Sequence, residues 1–119
     1  MTREKRYDWE WDEYVLVLDL YVRNRRSPPR QTSDKISEIS SLLNQRAAMY
    51  GIDAGPRFRS NNSVYIRMMN FWSIDEKINA KGLKPPPPLG KKVFREFNAN
   101  PEKFRGYAEA IRHMINRSR

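Results

Sequence analysis

The sequence predicts an all-α fold of about five helices, with a helix-turn-helix-like core of three helices followed by two C-terminal helices. Apolar residues recur at helical spacing, capping residues precede those stretches, and no stretch is convincing as a strand. The 119 residues suffice for one domain of ordinary size. We therefore expect a single helical domain over 1–119, ordered over about 8–117.

The first helix is predicted over residues 8–22, with Asp8 as its cap and three further acidic residues near its positive end. Residues 15–22 are apolar nearly all round, so this helix should be central and buried. Their β-branched and aromatic content leaves a buried strand as the alternative. The acidic start favours the helix, because negative charge there stabilises only a helix.

Two further helices complete the predicted core. The second spans residues 34–50 with Ser33 as its cap, and its apolar residues repeat at helical spacing. The third starts near Asn62 or Ser63 and reaches at least Trp72. It would be the recognition helix of a helix-turn-helix core.

The last part of the chain is predicted to form two helices after a spacer. The four prolines at 85–88 predict a stiff extended segment, and residues 91–98 a short fourth helix. Asn100 caps the fifth helix and Pro101 opens it. Its apolar stripe consists of Phe104, Tyr107, Ala108, Ile111, Met114 and Ile115.

The positive charge is concentrated in the second part of the chain. Residues 1–54 contain 9 Lys/Arg and 9 Asp/Glu, whereas residues 55–119 contain 14 and 5, which places the whole net charge of +9 there. A one-sided excess of this size is typical of proteins that bind polyanions. It predicts nucleic acid as the partner.

Cellular location is predicted from what the sequence lacks. It contains no cysteine, which excludes disulfides and thiolate zinc sites and fits a reducing compartment. No apolar run approaches the length of a membrane span, and the charged N-terminus does not resemble a signal peptide. We expect a cytoplasmic, nucleoid-associated protein without a membrane partner.

The segment RFRSNNSVYIRMMNFW, residues 57–72, predicts the DNA-contacting surface. On a helical wheel its apolar residues form a broad face, whereas Ser63, Arg67 and Asn70 cluster within roughly 60° on the far side. Arginine can bind the guanine edge and asparagine the adenine edge in the major groove, and a helix start favours phosphate. An ordinary amphipathic helix facing water is the alternative. The predicted DNA-binding residues are Arg57, Arg59, Ser60, Asn61, Asn62, Ser63, Arg67, Asn70, Lys91 and Lys92.

No catalytic residue, metal site or cofactor is predicted. His113 is the only histidine, so neither a His/Cys zinc site nor a supported Ser-His-Asp arrangement can be built. Asp75, Glu76 and Lys77 resemble metal-dependent nuclease spacing only weakly, because no further carboxylate is placed around them. There is also no phosphate-binding glycine loop. The chain is therefore predicted not to be an enzyme.

Several motifs in order resemble one known family. They are W-x-x-D-E from Trp9, L-D-L-Y at 18–21, I-S-x-L-L-N at 39–44, FRSNNSVYIRMMNF at 58–71, K-G-L at 81–83 and V-F-R-E-F at 93–97. In this order and spacing they resemble the N-terminal domain of McrA-like HNH endonucleases, over roughly residues 9–115.

The resemblance implies a DNA-reading module for duplex DNA with 5-methylcytosine-type bases, normally tethered to a nuclease domain in a type IV restriction endonuclease. Arg59, Asn62 and Asn70 match the family pattern, and Asn70 has bracing of the fold as an alternative role. This sequence has no HNH domain, so it would be an excised domain or a free-standing relative, with the nuclease supplied in cis or in trans.

Two other functions stay open from the sequence. A free-standing helix-turn-helix transcriptional regulator would bind a specific unmodified operator as a dimer. A protein-interaction module would use its basic charge for solubility or for an acidic partner. The reading of a modified base by direct contact or by base flipping is also open, because flipping needs a pocket of aromatic residues.

Overall fold

A computed structural model describes residues 7–78 and 84–118 of the chain. Within these ranges the backbone forms five α-helices and no strand. They are α1 (Trp11–Arg23), α2 (Asp34–Met49), α3 (Asn61–Ile74), α4 (Pro88–Ala99) and α5 (Pro101–Arg117). The predicted all-α class and the number of helices are confirmed. The K-G-L motif at 81–83 lies outside the described residues.

Helix α1 is the centre of the fold. It packs against each of the other four helices, and every residue from Glu13 to Tyr21 is buried. Leu16, Leu18 and Tyr21 are among its fully buried side chains. Because a helix that is apolar nearly all round must be enclosed on all sides, the prediction of a central helix is confirmed and the strand alternative is wrong.

Helices α1, α2 and α3 pack against one another as a three-helix core, and α4 and α5 pack against α1 and against each other. A loop over residues 50–60 connects α2 to α3. This loop is longer than the turn of three or four residues that usually joins the two helices of the DNA-binding motif. The start of α3 therefore depends on contacts between the loop and α2.

Two predicted helix starts are wrong. Helix α1 is capped by Glu10, not Asp8, and the Glu10 N–H donates to Oε1 of Glu13 at 3.0 Å in a capping-box arrangement. Helix α4 starts at Pro88, three residues before the predicted Lys91. Pro88 is suited to the first helical position, because it has no N–H that would be left unsatisfied there. Only residues 85–87 of the predicted spacer therefore precede the helix.

The other helix starts follow local capping chemistry. Ser33 accepts a hydrogen bond from the Lys35 N–H, and Asn100 accepts one from the Lys103 N–H at 3.1 Å, as predicted for α2 and α5. Helix α3 starts at Asn61 with Ser60 as its cap, slightly earlier than expected. On α5, Met114 departs from the buried stripe and is 41% exposed.

Candidate nucleic-acid interface

Helix α2 holds the loop that leads into α3. Ser40 donates to the carbonyl of Arg59 at 2.7 Å, and Asn44 donates to the carbonyl of Phe58 at 3.0 Å. Asn61 donates its side-chain amide to Ser37 at 2.8 Å. The predicted contact residue Asn61 is thus engaged within the fold.

Arg59 was predicted to contact DNA, but the structure places it in the interior, where it is 7% exposed. Its Nη2 donates to Glu13 Oε1 at 3.1 Å and to the carbonyls of Tyr7 and Asp8 at 3.2 and 3.1 Å. The guanidinium also lies against Trp9 and Phe58. The burial has a physical cause, because Glu13 is 1% exposed and needs a compensating cation. Arg59 therefore fastens the N-terminal segment to α1, and its guanidinium is engaged in these internal contacts.

Asn70 was also predicted to face DNA and is also buried, at 7% exposed. Its Nδ2 donates to the carbonyl of Lys84 at 3.0 Å, and its Oδ1 accepts from Nη1 of Arg67 at 3.0 Å. The polar strip of α3 is therefore covered at this end by the segment preceding α4. The alternative role of bracing the fold describes Asn70 correctly.

Arg67 is half-buried and differs from the other buried or half-buried arginines. Within the described ranges it contacts no carboxylate, whereas Arg25, Arg46 and Arg59 each form an ion pair. Its Nε is buried and has no hydrogen-bond partner among the residues that the structure describes. Desolvation lowers the pKa of Arg67, and repulsion from Arg59 acts in the same direction. The group still carries its charge at neutral pH, so a positive charge is held here without a directly paired carboxylate among the described residues.

Arg67 lies in a cleft of about 580 Å³, which we call the aromatic cleft. The cleft is lined by the rings of Tyr7, Trp9, Tyr14 and Phe58, by Arg57, Arg59, Ser63 and Arg67, and by Asp8, Ala54, Pro87, Pro88 and Leu89. The guanidinium carbon of Arg67 lies 5.1 Å from the Trp9 ring centroid and 5.8 Å from that of Tyr14. Four of the predicted residues (Arg57, Arg59, Ser63 and Arg67) thus share one concave site.

The exposed part of the predicted surface is smaller than the whole segment. Arg57 and Asn62 are exposed, and neither makes a hydrogen bond or an ion pair with the residues that the structure describes. Ile66, one turn after Asn62, is 48% exposed. Ser60 and Ser63 are half-buried, and the Ser60 hydroxyl accepts from the Ser63 N–H at 3.2 Å, which partly satisfies the helix start predicted for phosphate.

The two predicted lysines lie on α4, apart from the aromatic cleft. Lys91 is exposed and lines a second cleft of about 500 Å³ near the C-terminal end of α3, together with Lys77 and Arg95. Lys92 is exposed and lines neither cleft. The structure does not bring them together with Arg57, so any shared ligand must be long.

Asp75, considered above as a nuclease carboxylate, belongs to a buried cluster. It accepts hydrogen bonds from Tyr21 at 2.7 Å and from Nη2 of Arg25 at 2.9 Å. Desolvation opposes ionisation of Asp75, but the hydrogen bonds from Arg25, Tyr21 and the Lys77 N–H outweigh it and lower its pKa. The carboxylate is therefore committed to joining the end of α3 to α1.

The positive charge of the second part of the chain is largely unneutralised by the fold. Of the described Lys and Arg residues after residue 55, only Arg59 and Arg112 form ion pairs with described carboxylates. The first turn of α3 and that of α4 contain no acidic residue. A counter-charge for this part of the molecule must come from solution or from a ligand.

Sequence reasoning missed most of the aromatic cleft. Trp9 precedes the first helix, and Pro87 and Leu89 lie at the start of α4. The nearest signal was the group of aromatic residues around Trp9 beside the charged N-terminal residues. A helical wheel of α3 cannot show what two distant segments place opposite it.

No protein-family profile matches the sequence, and comparison with curated proteins and with solved structures gives no match. Among the described helices, none combines the length and the apolar character needed to cross a bilayer.

Proposed function

We propose that this chain is a DNA-binding module for duplex DNA that carries a modified cytosine of the 5-methylcytosine type, and that it targets a nuclease domain supplied in cis or in trans. The observation that carries the proposal is the unneutralised positive charge on and around α3 and α4. DNA is the abundant cellular polyanion that can span separated cationic groups such as Arg57 and Lys91.

The exposed face of α3 suits contacts with base edges. Asn62 and Ile66 lie one helical turn apart and therefore share a face. An asparagine amide can pair with the adenine edge, and an apolar side chain can contact a methyl group on C5 of a pyrimidine. Ile66 is 48% exposed, so its side chain is accessible for such a contact.

Contacts to the DNA backbone come from groups that read no sequence. Arg57, Lys91 and Lys92 are exposed and form no ion pair within the described part of the chain, so they are free to neutralise phosphates. The resemblance of the sequence to McrA-like endonucleases supports modified cytosine and a nuclease partner. Such a module would work at the nucleoid.

A binding titration tests the proposal. Matched duplexes with cytosine, 5-methylcytosine or 5-hydroxymethylcytosine at one position are titrated at two salt concentrations. The expected result is preference for a modified duplex and an affinity that falls steeply with salt. Substituting Arg57 or Lys92 by Ala should lower the magnitude of the log–log salt slope by about 1.

Arg105→Ala serves as the matched control, because Arg105 is exposed on α5, which does not pack on α3. The affinity of this control for DNA should lie closer to that of the wild type than the affinities of the Arg57→Ala and Lys92→Ala variants do. Equal affinity for all three duplexes, with a two-fold symmetric footprint on one sequence, would support the transcriptional regulator instead. Failure to retard any duplex at low salt would reject DNA binding and favour a protein-interaction module.

A further inference from the structure

The aromatic cleft has the size and chemistry of a site for a small planar ligand. Its volume of about 580 Å³ falls within the range of about 300–1,000 Å³ that is usual for small-molecule sites. Trp9 and Tyr14 pack against each other with ring centroids 5.8 Å apart, and Tyr7 packs edge-on against Phe58 at 6.0 Å. Tyr14 is only 2% exposed, so its ring supports Trp9, and the half-buried rings of Tyr7, Trp9 and Phe58 supply the aromatic surface of the cleft.

The charge of the cleft selects among planar ligands. An aromatic cage on its own suits a quaternary ammonium group. Here Arg57, Arg59 and Arg67 line the same space, and only Arg59 has a carboxylate partner among the described residues. Asp8 also lines the cleft, but the arginines outnumber it, so the cleft favours a ligand with negative charge or with hydrogen-bond acceptor atoms.

Arg67 has donors to spare for such a ligand. A guanidinium has five N–H donors, and the described residues supply one acceptor to Arg67, the Oδ1 of Asn70. The hydroxyl of Tyr14 also makes no hydrogen bond to the described part of the chain, although Tyr14 lines the cleft. Donor groups therefore stand next to aromatic faces, as the recognition of a nucleobase requires.

The start of α4 adds a feature suited to phosphate. Pro87, Pro88 and Leu89 line the cleft, and the cap residue Pro87 offers no side-chain hydrogen bond to the helix start. The backbone ladder begins with the Lys91 N–H bonded to the Pro87 carbonyl at 3.1 Å. The N–H groups of Leu89 and Gly90 have no backbone partner in the described part of the chain and carry the positive end of the helix dipole.

We propose that the aromatic cleft holds one nucleotide that is extruded from the duplex, which rests on the proposed function of DNA binding. The base packs against the half-buried rings of Tyr7 and Trp9, and Arg67 donates to acceptor atoms on its pairing edge. The phosphate of the same nucleotide lies towards Arg57 and the start of α4. Asn70 acts as a positioning residue, because it fixes the Arg67 guanidinium and the segment before α4 together.

The test uses a set of duplexes that differ at one central pair: a matched G·C pair, a mismatch and an abasic site opposite a cytosine. Proteins that extrude a base bind better where the pair is already weakened. The wild type is expected to bind the mismatched and abasic duplexes on the order of tenfold more tightly than the matched one. Arg67→Gln should lose this preference. Arg57→Gln should weaken binding to all duplexes and keep only part of the preference for the weakened pairs.

A circular-dichroism melt checks that Arg67→Gln is folded. Since Arg57 is exposed, Arg57→Gln keeps the test decisive if Arg67→Gln does not fold. Its reduced preference would then support the proposal, and an unchanged preference would count against it. Lys92→Gln is the charge-matched control, because Lys92 is exposed but does not line the cleft.

Further outcomes would overturn the inference. Salt-dependent binding with equal affinity for matched and weakened pairs would reject base extrusion and leave DNA binding intact. Absence of binding to any duplex would reject the proposed function itself. Saturable quenching of tryptophan fluorescence by cytidine monophosphate or by a phosphotyrosyl peptide, without duplex binding, would assign the cleft to a free nucleotide or to a peptide.

Discussion

Arg59 and Glu13 form a buried ion pair in which Arg59 Nη2 lies 3.1 Å from Glu13 Oε1 and both side chains are almost fully enclosed. Arg59 also adopts a left-handed backbone conformation with φ of 45°, which is uncommon for a residue with a side chain. The pair joins the start of α3 to the first turn of α1. A residue that the sequence offered as a DNA contact is thus part of the framework of the fold.

Removing this arginine should destabilise the protein strongly. Arg59→Ala leaves Glu13 as a buried charge without its closest partner, and we expect a loss of about 3–5 kcal/mol in the free energy of unfolding. Urea denaturation measures it. Arg57→Ala, two residues earlier and exposed, should change stability by less than about 0.5 kcal/mol. Near-wild-type stability of Arg59→Ala would show that the pair is not structurally required.

The buried Asp75 cluster should make the free energy of unfolding depend on pH in the acidic range. Since its pKa is lowered in the fold, Asp75 contributes stability above its unfolded pKa of about 3.9, and this contribution is lost as the pH falls through and below that value. Urea midpoints at pH 6 and pH 3 should differ more for the wild type than for Asp75→Asn. The exposed Asp53→Asn should keep the wild-type difference. Identical pH dependence of Asp75→Asn and the wild type would contradict this assignment.

Gly90 should tolerate no side chain. A Cβ at this position would lie 2.9 Å from Pro86 Cβ and 3.1 Å from Tyr14 Cε1, so Gly90→Ala should cost about 1–3 kcal/mol despite the better helix propensity of alanine. Gly106 in α5 has no atom within 4 Å of an added Cβ. Gly106→Ala is therefore expected to stabilise by about 0.5–1 kcal/mol. Thermal melts compare the two, and stabilisation by both would mean that the contact with Tyr14 relaxes freely.

Loss of the Asn70 amide should loosen two segments at once. Asn70→Ala removes the acceptor of Arg67 and the donor to the Lys84 carbonyl, and we expect destabilisation of about 1–3 kcal/mol. Residues 85–88 are prolines without an amide hydrogen, so the hydrogen-exchange readout is the Lys91 amide, which is bonded to the Pro87 carbonyl and should exchange faster in this variant. If Asn70→Ala has the urea midpoint and the hydrogen-exchange rates of the wild type, Asn70 does not position these segments.

Ile66 should affect base discrimination and not stability. Ile66→Ser replaces an apolar side chain that is 48% exposed, so the free energy of unfolding should change by less than about 0.5 kcal/mol. The preference for 5-methylcytosine over cytosine should fall, because the apolar contact with the methyl group is lost. Fluorescence anisotropy with the matched duplexes measures it. Unchanged discrimination would exclude Ile66 from reading the methyl group.

The sequence predicted those features that depend on neighbouring residues. The caps Ser33 and Asn100 act within one turn of their own helices, so the starts of α2 and α5 follow from local chemistry. The central position of α1 followed from its apolar composition. The start of α4 was missed, because a run of four prolines predicts an extended spacer and does not show that its last member, Pro88, is the first residue of the helix.

The candidate site was less predictable, since its residues meet across the fold. The wheel correctly separated an apolar face from a polar strip on α3, but it could not show that Lys84 covers Asn70 or that Glu13 captures Arg59. Those contacts join residues far apart in the sequence. Arg57, Asn62 and Arg67 remain predictions for ligand contact.

The prolines in the wall of the aromatic cleft have a consequence for specificity. Proline lacks an amide hydrogen, so neither Pro87 nor Pro88 can give a hydrogen bond to an occupant, whatever its orientation. These two residues can offer an occupant only carbonyl oxygens and apolar surface, so N–H donors on this side must come from the residues that follow them. Side-chain donors to an occupant come instead from α3, where Ser63 and Arg67 project from the same helix.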